Sequence, residues 1–148
     1  MEMEMNNVKY AGFWIRASAS LIDTVLILIV IFPLLHLIYG NEYWLSESFV
    51  FGIWDVILTY LFPAIAVLVF WIVKSATPGK LILKLTIVDA KSGVSASVKQ
   101  LVIRYLAYYL SAIPLFLGFI WVGIDKKKQG FHDKISNTMV AKKASGKR

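Results

Sequence analysis

Three stretches of the chain stay apolar for longer than a soluble core requires: about Phe13 to Tyr39, about Phe49 to Val73, and Leu101 to Ile124. Crossing the hydrocarbon layer takes about 20 apolar residues in a helix, so the first two stretches are predicted to span a membrane. The third is less uniform, with Arg104 near its start, Pro114 in its middle, and Gly118 and Gly123 beyond. A helix broken near Pro114 can enter and return on one side if its freed backbone groups are buried in protein. That returning hairpin is favoured over a simple span, which would export the basic tail.

Residues 75–100 follow a different pattern. Thr77-Pro78-Gly79-Lys80 forms a turn, after which Leu81, Leu83, Leu85 and Ile87 alternate with Lys80, Lys84 and Thr86. Period two predicts a strand, and Asp89-Ala90-Lys91-Ser92-Gly93 closes it with a turn. Thr138-Met139-Val140-Ala141 is the candidate partner strand for residues 83–88, which requires both to share a compartment. The expected fold class is an all-α polytopic membrane protein. It has two transmembrane helices, a third broken apolar segment, re-entrant or spanning, and a short cytoplasmic β element. It forms one domain over residues 1–148, with flexible ends at 1–7 and 144–148.

Composition agrees with the pattern. The 148 residues are 58% hydrophobic, against about 45–50% apolar in soluble domains, and the mean hydropathy is +0.67. The net charge of +7 is read as orientation bias, because basic residues flanking apolar spans stay in the cytoplasm. Lys9 and Arg16 precede the first span, and Lys74, Lys80, Lys84, Lys91 and Lys99 follow the second. Residues 40–48, between the spans, hold two acids and no lysine or arginine. The N- and C-termini are thus expected in the cytoplasm and the loop outside a plasma membrane. Tyr39, Tyr43, Trp44 and Trp54 would mark the outer boundary, and Trp14 and Trp71 the inner one.

The bilayer is therefore the first expected partner, and the basic tail from Lys142 to Arg148 would attract anionic lipid head groups by about 1 kcal/mol per charge. The short polar segments carry no nucleic-acid-binding signature. Without cysteine there is no disulfide, thiol redox centre or cysteine metal site. A cleavable signal peptide is not expected, because Met1-Glu2-Met3-Glu4-Met5 lacks a basic start and Ala17-Ser18-Ala19-Ser20 precedes the apolar run. The pattern holds no nucleophile and base pair and no long glycine-rich phosphate loop, so neither an enzyme nor a cofactor or metal is expected.

Candidate chemistry begins at Asp23, whose neighbours run Leu21-Ile22-Asp23-Thr24-Val25-Leu26. A carboxylate at the centre of a membrane helix costs roughly 2.5–3.5 kcal/mol, so it needs a partner or a wet cavity. Arg16 lies two turns earlier, roughly 10 Å along the axis. Direct pairing would need the long arginine side chain to reach inward, with Arg104, Ser20 or water completing the network. Such a pair is either a structural clasp between helices or a cation or proton site. Ala17, Ser20 and Thr24 share this side of the helix, which predicts that it is buried in protein.

In Gln129-Gly130-Phe131-His132-Asp133-Lys134, a histidine stands beside a carboxylate. Either could shuttle a proton; the plainer expectation is a solvent-facing turn whose aspartate caps a helix. Adjacent residues point apart, so a metal site would need ligands from elsewhere. His36 and Asp55 fall near the outer ends of their spans, within reach of interfacial water, and Pro33, Pro63 and Pro114 are candidate kinks.

Arg16 and Asp23 in Ile15-Arg16-Ala17-Ser18-Ala19-Ser20-Leu21-Ile22-Asp23, the turn Thr77-Pro78-Gly79-Lys80 leading into Leu85-Thr86-Ile87-Val88-Asp89, and Gln129–Lys134 together resemble the RDD family over about residues 8–143. The resemblance implies a multi-pass, mostly bacterial membrane protein with one arginine and two aspartates of note. These map to Arg16, Asp23 and Asp133, with Asp89 and Asp125 as alternatives for the last. It also implies either transport, which in some members is associated with sodium/proton antiport, or a scaffold for membrane complexes. The first expectation is a small cation or proton-coupled transporter acting through the Arg16/Asp23 pair. Three apolar segments hardly enclose an aqueous path, so transport implies a homo-oligomer. The alternative is a non-transporting scaffold or accessory subunit that recruits a membrane-complex partner.

Overall fold

A long run of leucine, isoleucine and valine can satisfy its backbone in lipid only by closing hydrogen bonds within itself, and the chain does so as helix. The computed structural model describes residues 9–113 and 117–142. The expected break at Pro114, the ends 1–7 and 144–148, and Lys143 lie outside the described residues.

Helix α1, Phe13–Tyr39, has 27 residues and carries Pro33 within it. It ends where Gly40 takes a φ of 66° and donates its N–H to the His36 carbonyl at 2.8 Å. A short α2, Glu42–Leu45, leads to α3, Ile53–Val56, a π-helical turn, Ile57–Leu61, and α4, Phe62–Lys74. The wide turn ends two residues before Pro63, whose missing N–H removes a bond from the regular ladder. Helix α1 and the run Ile53–Ile82 are each long and apolar enough to cross a membrane. Their exposed leucine, isoleucine and valine side chains suit a lipid environment.

After α4 the chain forms α5, Pro78–Ile82, and then strand β2, Leu85–Asp89. The strand expected from Leu81 is therefore helical in its first part, because Pro78 sits in the first turn with φ already suited to a helix. The alternation also misleads, since Leu85, Thr86, Ile87 and Val88 are all buried. Helix α6, Val98–Ala112, opens with a capping box between Ser97 and Gln100. Helices α7, Leu117–Ile124, and α6 meet at 103°. Helix α8, Phe131–Ser136, and strand β3, Thr138–Lys142, complete the described chain.

Strand β3 pairs antiparallel with β2, Leu85 opposite Lys142 and Asp89 opposite Thr138. Strand β1, Lys9–Tyr10, which the sequence pattern did not reveal, pairs with the other side of β3. The chain before α1, after α5 and after α8 thus meets in one sheet of order β1-β3-β2. The third apolar segment is flanked in sequence by β2 and β3, which are neighbours in that sheet. Trp71, Leu85, Ile87, Leu101 and Val140 form the core beneath it.

The turn after β2 makes a pH prediction. Asp89 accepts bonds from the Lys91 and Ser92 N–H groups, at 2.9 and 2.7 Å, and from the Gln100 amide at 2.6 Å. Burial works to raise its pKa, but these donors prevail and hold it at about 2 against the ordinary 3.8. A depressed carboxylate stabilises the fold above its free value and loses that contribution as pH falls through its folded value. The Ser92 amide resonance is expected to inflect near pH 2 in an NMR titration; an inflection at 3.8 would show the cage is not formed.

Candidate functional site

Arg16 and Asp23 occupy the sheet-side half of α1 but do not meet. The Arg16 guanidinium reaches toward α8. There Nη2 lies 2.7 Å from Asp133 Oδ2 and donates to His132 Nε2 at 2.9 Å, and Nη1 donates to the Lys128 carbonyl at 2.9 Å. Asp23 instead accepts the Gly79 N–H at 2.7 Å and the Thr77 hydroxyl. The expected Arg16/Asp23 pair is corrected, for a physical reason: the start of α5 offers unpaired N–H groups and a hydroxyl closer to Asp23 than any arginine. Asp23 therefore caps a helix from outside it.

That cap requires close approach. A Cβ at Gly79 would stand 2.1 Å from the Ala19 carbonyl oxygen, so α5 lies directly on the α1 backbone. Ala19 is fully buried by this contact, whereas Ser20 and Thr24 are exposed. The stripe of Ala17, Ser20 and Thr24 is thus not the packed face that its small residues predicted.

Asp133 has no exposure and sits between two arginines. Arg104, also fully buried, bonds Oδ1, while Arg16 and the Gly130 N–H, at 2.8 Å, take Oδ2. Arg104 further donates to the Thr138 hydroxyl at 2.6 Å, and its guanidinium lies 5.5 Å from the Trp71 ring centre. Burial pushes the Asp133 carboxyl up, but Arg104 and Arg16 outweigh it and hold the group well below the ordinary carboxylate range. Three elements, α1, α6 and α8, converge on this one carboxylate.

His132 stacks on Tyr108 at 4.3 Å, and its Nδ1 stands 3.3 Å from Ser111 Oγ. Burial, with Arg104, Arg16 and Lys80 nearby and only Asp133 opposing, pushes its pKa down to about 2. A neutral ring accepting from Arg16 at Nε2 carries its proton on Nδ1. The solvent-facing turn expected here is corrected: His132 and Asp133 are both buried, because the two arginines need the carboxylate inside. The capping role survives through Gly130.

Asp125 pairs with Lys134 at 2.7 Å, and Asp89 serves its own turn, so neither contacts Arg16. At the far end of the spans, Asp55 is buried and accepts from Tyr43, Thr59 and the Phe51 N–H. It faces these donors and not interfacial water, which corrects the expectation for it. His36 accepts from Trp44 at 3.2 Å. Among the described residues, no three His, Asp or Glu side chains gather closely enough to hold a metal.

One buried, cavity-lining side chain escaped the sequence pattern. Lys80, counted there as a flanking charge, is 5% exposed, with its ammonium 5.5 Å from the Trp71 ring centre. It lines a cavity of about 540 Å³ with Arg16, Tyr108, His132 and the apolar walls of α1 and α7. The signal for it was the Thr77-Pro78-Gly79-Lys80 turn, whose glycine fixes α5 against α1.

Residues 10–137 match the family model described as the RDD family. The chain is 32% identical over 151 residues to the uncharacterized protein YxaI of Bacillus subtilis (strain 168), covering 91% of this chain and 99% of that one. It is 38% identical over 73 residues to the uncharacterized protein RP437 of Rickettsia prowazekii (strain Madrid E), covering 49% and 40%. To the uncharacterized protein YckC of Bacillus subtilis (strain 168) it is 28% identical over 141 residues, covering 92% and 87%. No solved structure matches.

Proposed function

Since this chain belongs to the RDD family of membrane proteins, we propose that it is a non-transporting scaffold or accessory subunit whose family charges lock its helices together. The observation that carries this is the burial of Asp133 between Arg16 and Arg104. A carboxylate that binds and releases cations or protons is not held between two fixed positive charges, whereas Asp133 is bonded by both arginines and a backbone N–H. Asp23 is likewise engaged by Thr77 and Gly79. Arg16, Asp23 and Asp133 are then the arginine and two aspartates of the family pattern, used as a clasp and a cap. The charge bias supports a plasma-membrane protein with the sheet on the cytoplasmic side, where a partner protein would dock.

Proton-coupled transport is the second reading, favoured by the cavity beside Arg16. It would require an oligomer and a mechanism other than an Arg16/Asp23 exchange.

The variant Asp23→Asn separates the two. Weakening the cap is expected to cost about 0.5–2 kcal/mol and to lower Tm in detergent by a few degrees. Proton flux in proteoliposomes under an imposed sodium gradient is expected to be absent in both wild type and variant. Flux in the wild type above that of protein-free vesicles would reverse the assignment in favour of a transporter, whether or not Asp23→Asn retains it.

A further inference from the structure

Burying an ammonium costs several kcal/mol unless a counter-charge meets it. Among the described residues, Lys80 makes no hydrogen bond and no ion pair; Trp71 is its close neighbour. Of the carboxylates in this region, Asp133 is shared by two arginines and Asp23 is bonded to the neutral donors Thr77 and Gly79. Arg16, Arg104 and Lys80 bring three positive charges, Asp23 and Asp133 two negative ones, and three minus two leaves one cation uncompensated. The same region is short of acceptors, because the buried Trp71 Nε1 and Arg104 Nε also lack a partner among the described residues.

The space beside Lys80 is a ligand-sized cavity, about 540 Å³ against roughly 300–1,000 Å³ for small-molecule sites. Its lining is mostly apolar, with Phe119, Ile120 and Val122 of α7 as one wall and Arg16 and Tyr108 as polar members near the lysine. An inorganic ion would leave that wall dry and the volume largely empty. We propose that the cavity binds an anionic amphiphile by its phosphoryl oxyanion, with the Lys80 ammonium as counter-charge and the α7 wall against the hydrocarbon part. The phosphoryl group is then that of a bilayer phospholipid. This inference goes beyond the scaffold assignment and does not depend on it.

The test uses the full chain in a neutral detergent, titrated with phosphatidic acid and with phosphatidylcholine of the same acyl chains and followed by native mass spectrometry. Wild type is expected to hold phosphatidic acid at least about tenfold more tightly, a difference of about 1.4 kcal/mol. Lys80→Met should erase that preference, and Lys74→Met, at an exposed lysine on α4, should preserve it. Competition by millimolar inorganic phosphate would overturn the amphiphile in favour of a free oxyanion; failure to compete would support a lipid. Should Lys80→Met not fold, Ala17→Phe fills the cavity with every charge in place and should also erase the preference. Equal binding of the two lipids by wild type overturns the proposal. So does an undiminished preference in folded Lys80→Met, or in Ala17→Phe where the lysine variant does not fold.

Discussion

Asparagine at position 133 is expected to lower Tm by on the order of 10 °C, the largest effect of any single polar substitution in this chain. Asp133 lies between two buried guanidinium groups, and removing one partner of a buried ion pair costs about 3–5 kcal/mol because the charges left behind remain desolvated. At about 2–4 °C per kcal/mol for a chain of this size, that gives the shift stated. The damage should be reversible by removing the stranded charges. A combined Arg16→Met, Arg104→Met and Asp133→Leu chain replaces the cluster with apolar residues of similar volume and should recover much of the lost Tm. Thermal melting of the three chains, wild type, Asp133→Asn and the combined variant, checks this. A combined variant no better than Asp133→Asn would show that hydrogen-bond geometry, not charge burial, holds the helices.

Alanine at position 79 is expected to have the second-largest effect. The new Cβ would lie 2.1 Å from the Ala19 oxygen, well inside the 3.0 Å that real Cβ atoms keep from their neighbours. The obstacle is backbone on both sides, so no side chain can swing away. Overpacking of this kind costs about 1–3 kcal/mol, occasionally more. Here it would also pull the Gly79 N–H from Asp23 and shift Lys80 on the same short helix. Melting beside Gly12→Ala, where the added atom meets nothing within 4 Å, isolates the effect. A Gly79→Ala chain as stable as Gly12→Ala would mean α5 moves freely on α1.

The spans were legible because hydropathy alone decides them: no soluble core explains the runs in α1 and α4. The pairing of β2 with β3 was legible too, since Leu85, Ile87, Met139 and Val140 carry a strand pattern that needs one compartment. Strand β1 was not, because two residues give no period. The arginine and both aspartates were visible as costly or family-marked charges, but their partners were not. Arg16 and Asp23 are neighbours along one helix, whereas the bonds they make span more than fifty residues of chain. Helix periodicity says which residues share a face and nothing about what lies opposite. Lys80 was hidden by the charge bias itself, since a lysine after an apolar run reads as a solvated flank until α5 is seen packed on α1.

The order of the sheet also governs when the molecule can close. Its middle strand, β3, is the last of the three to be synthesised, and β1 and β2 each pair with it and not with one another. During translation the first two strands must wait, one on each flank of an empty lane, while α6, α7 and α8 are made. Asp133 enters only five residues before β3 begins, so the ion cluster and the sheet are completed in one late step. A chain stalled before that point has Arg16 and Arg104 without their shared carboxylate.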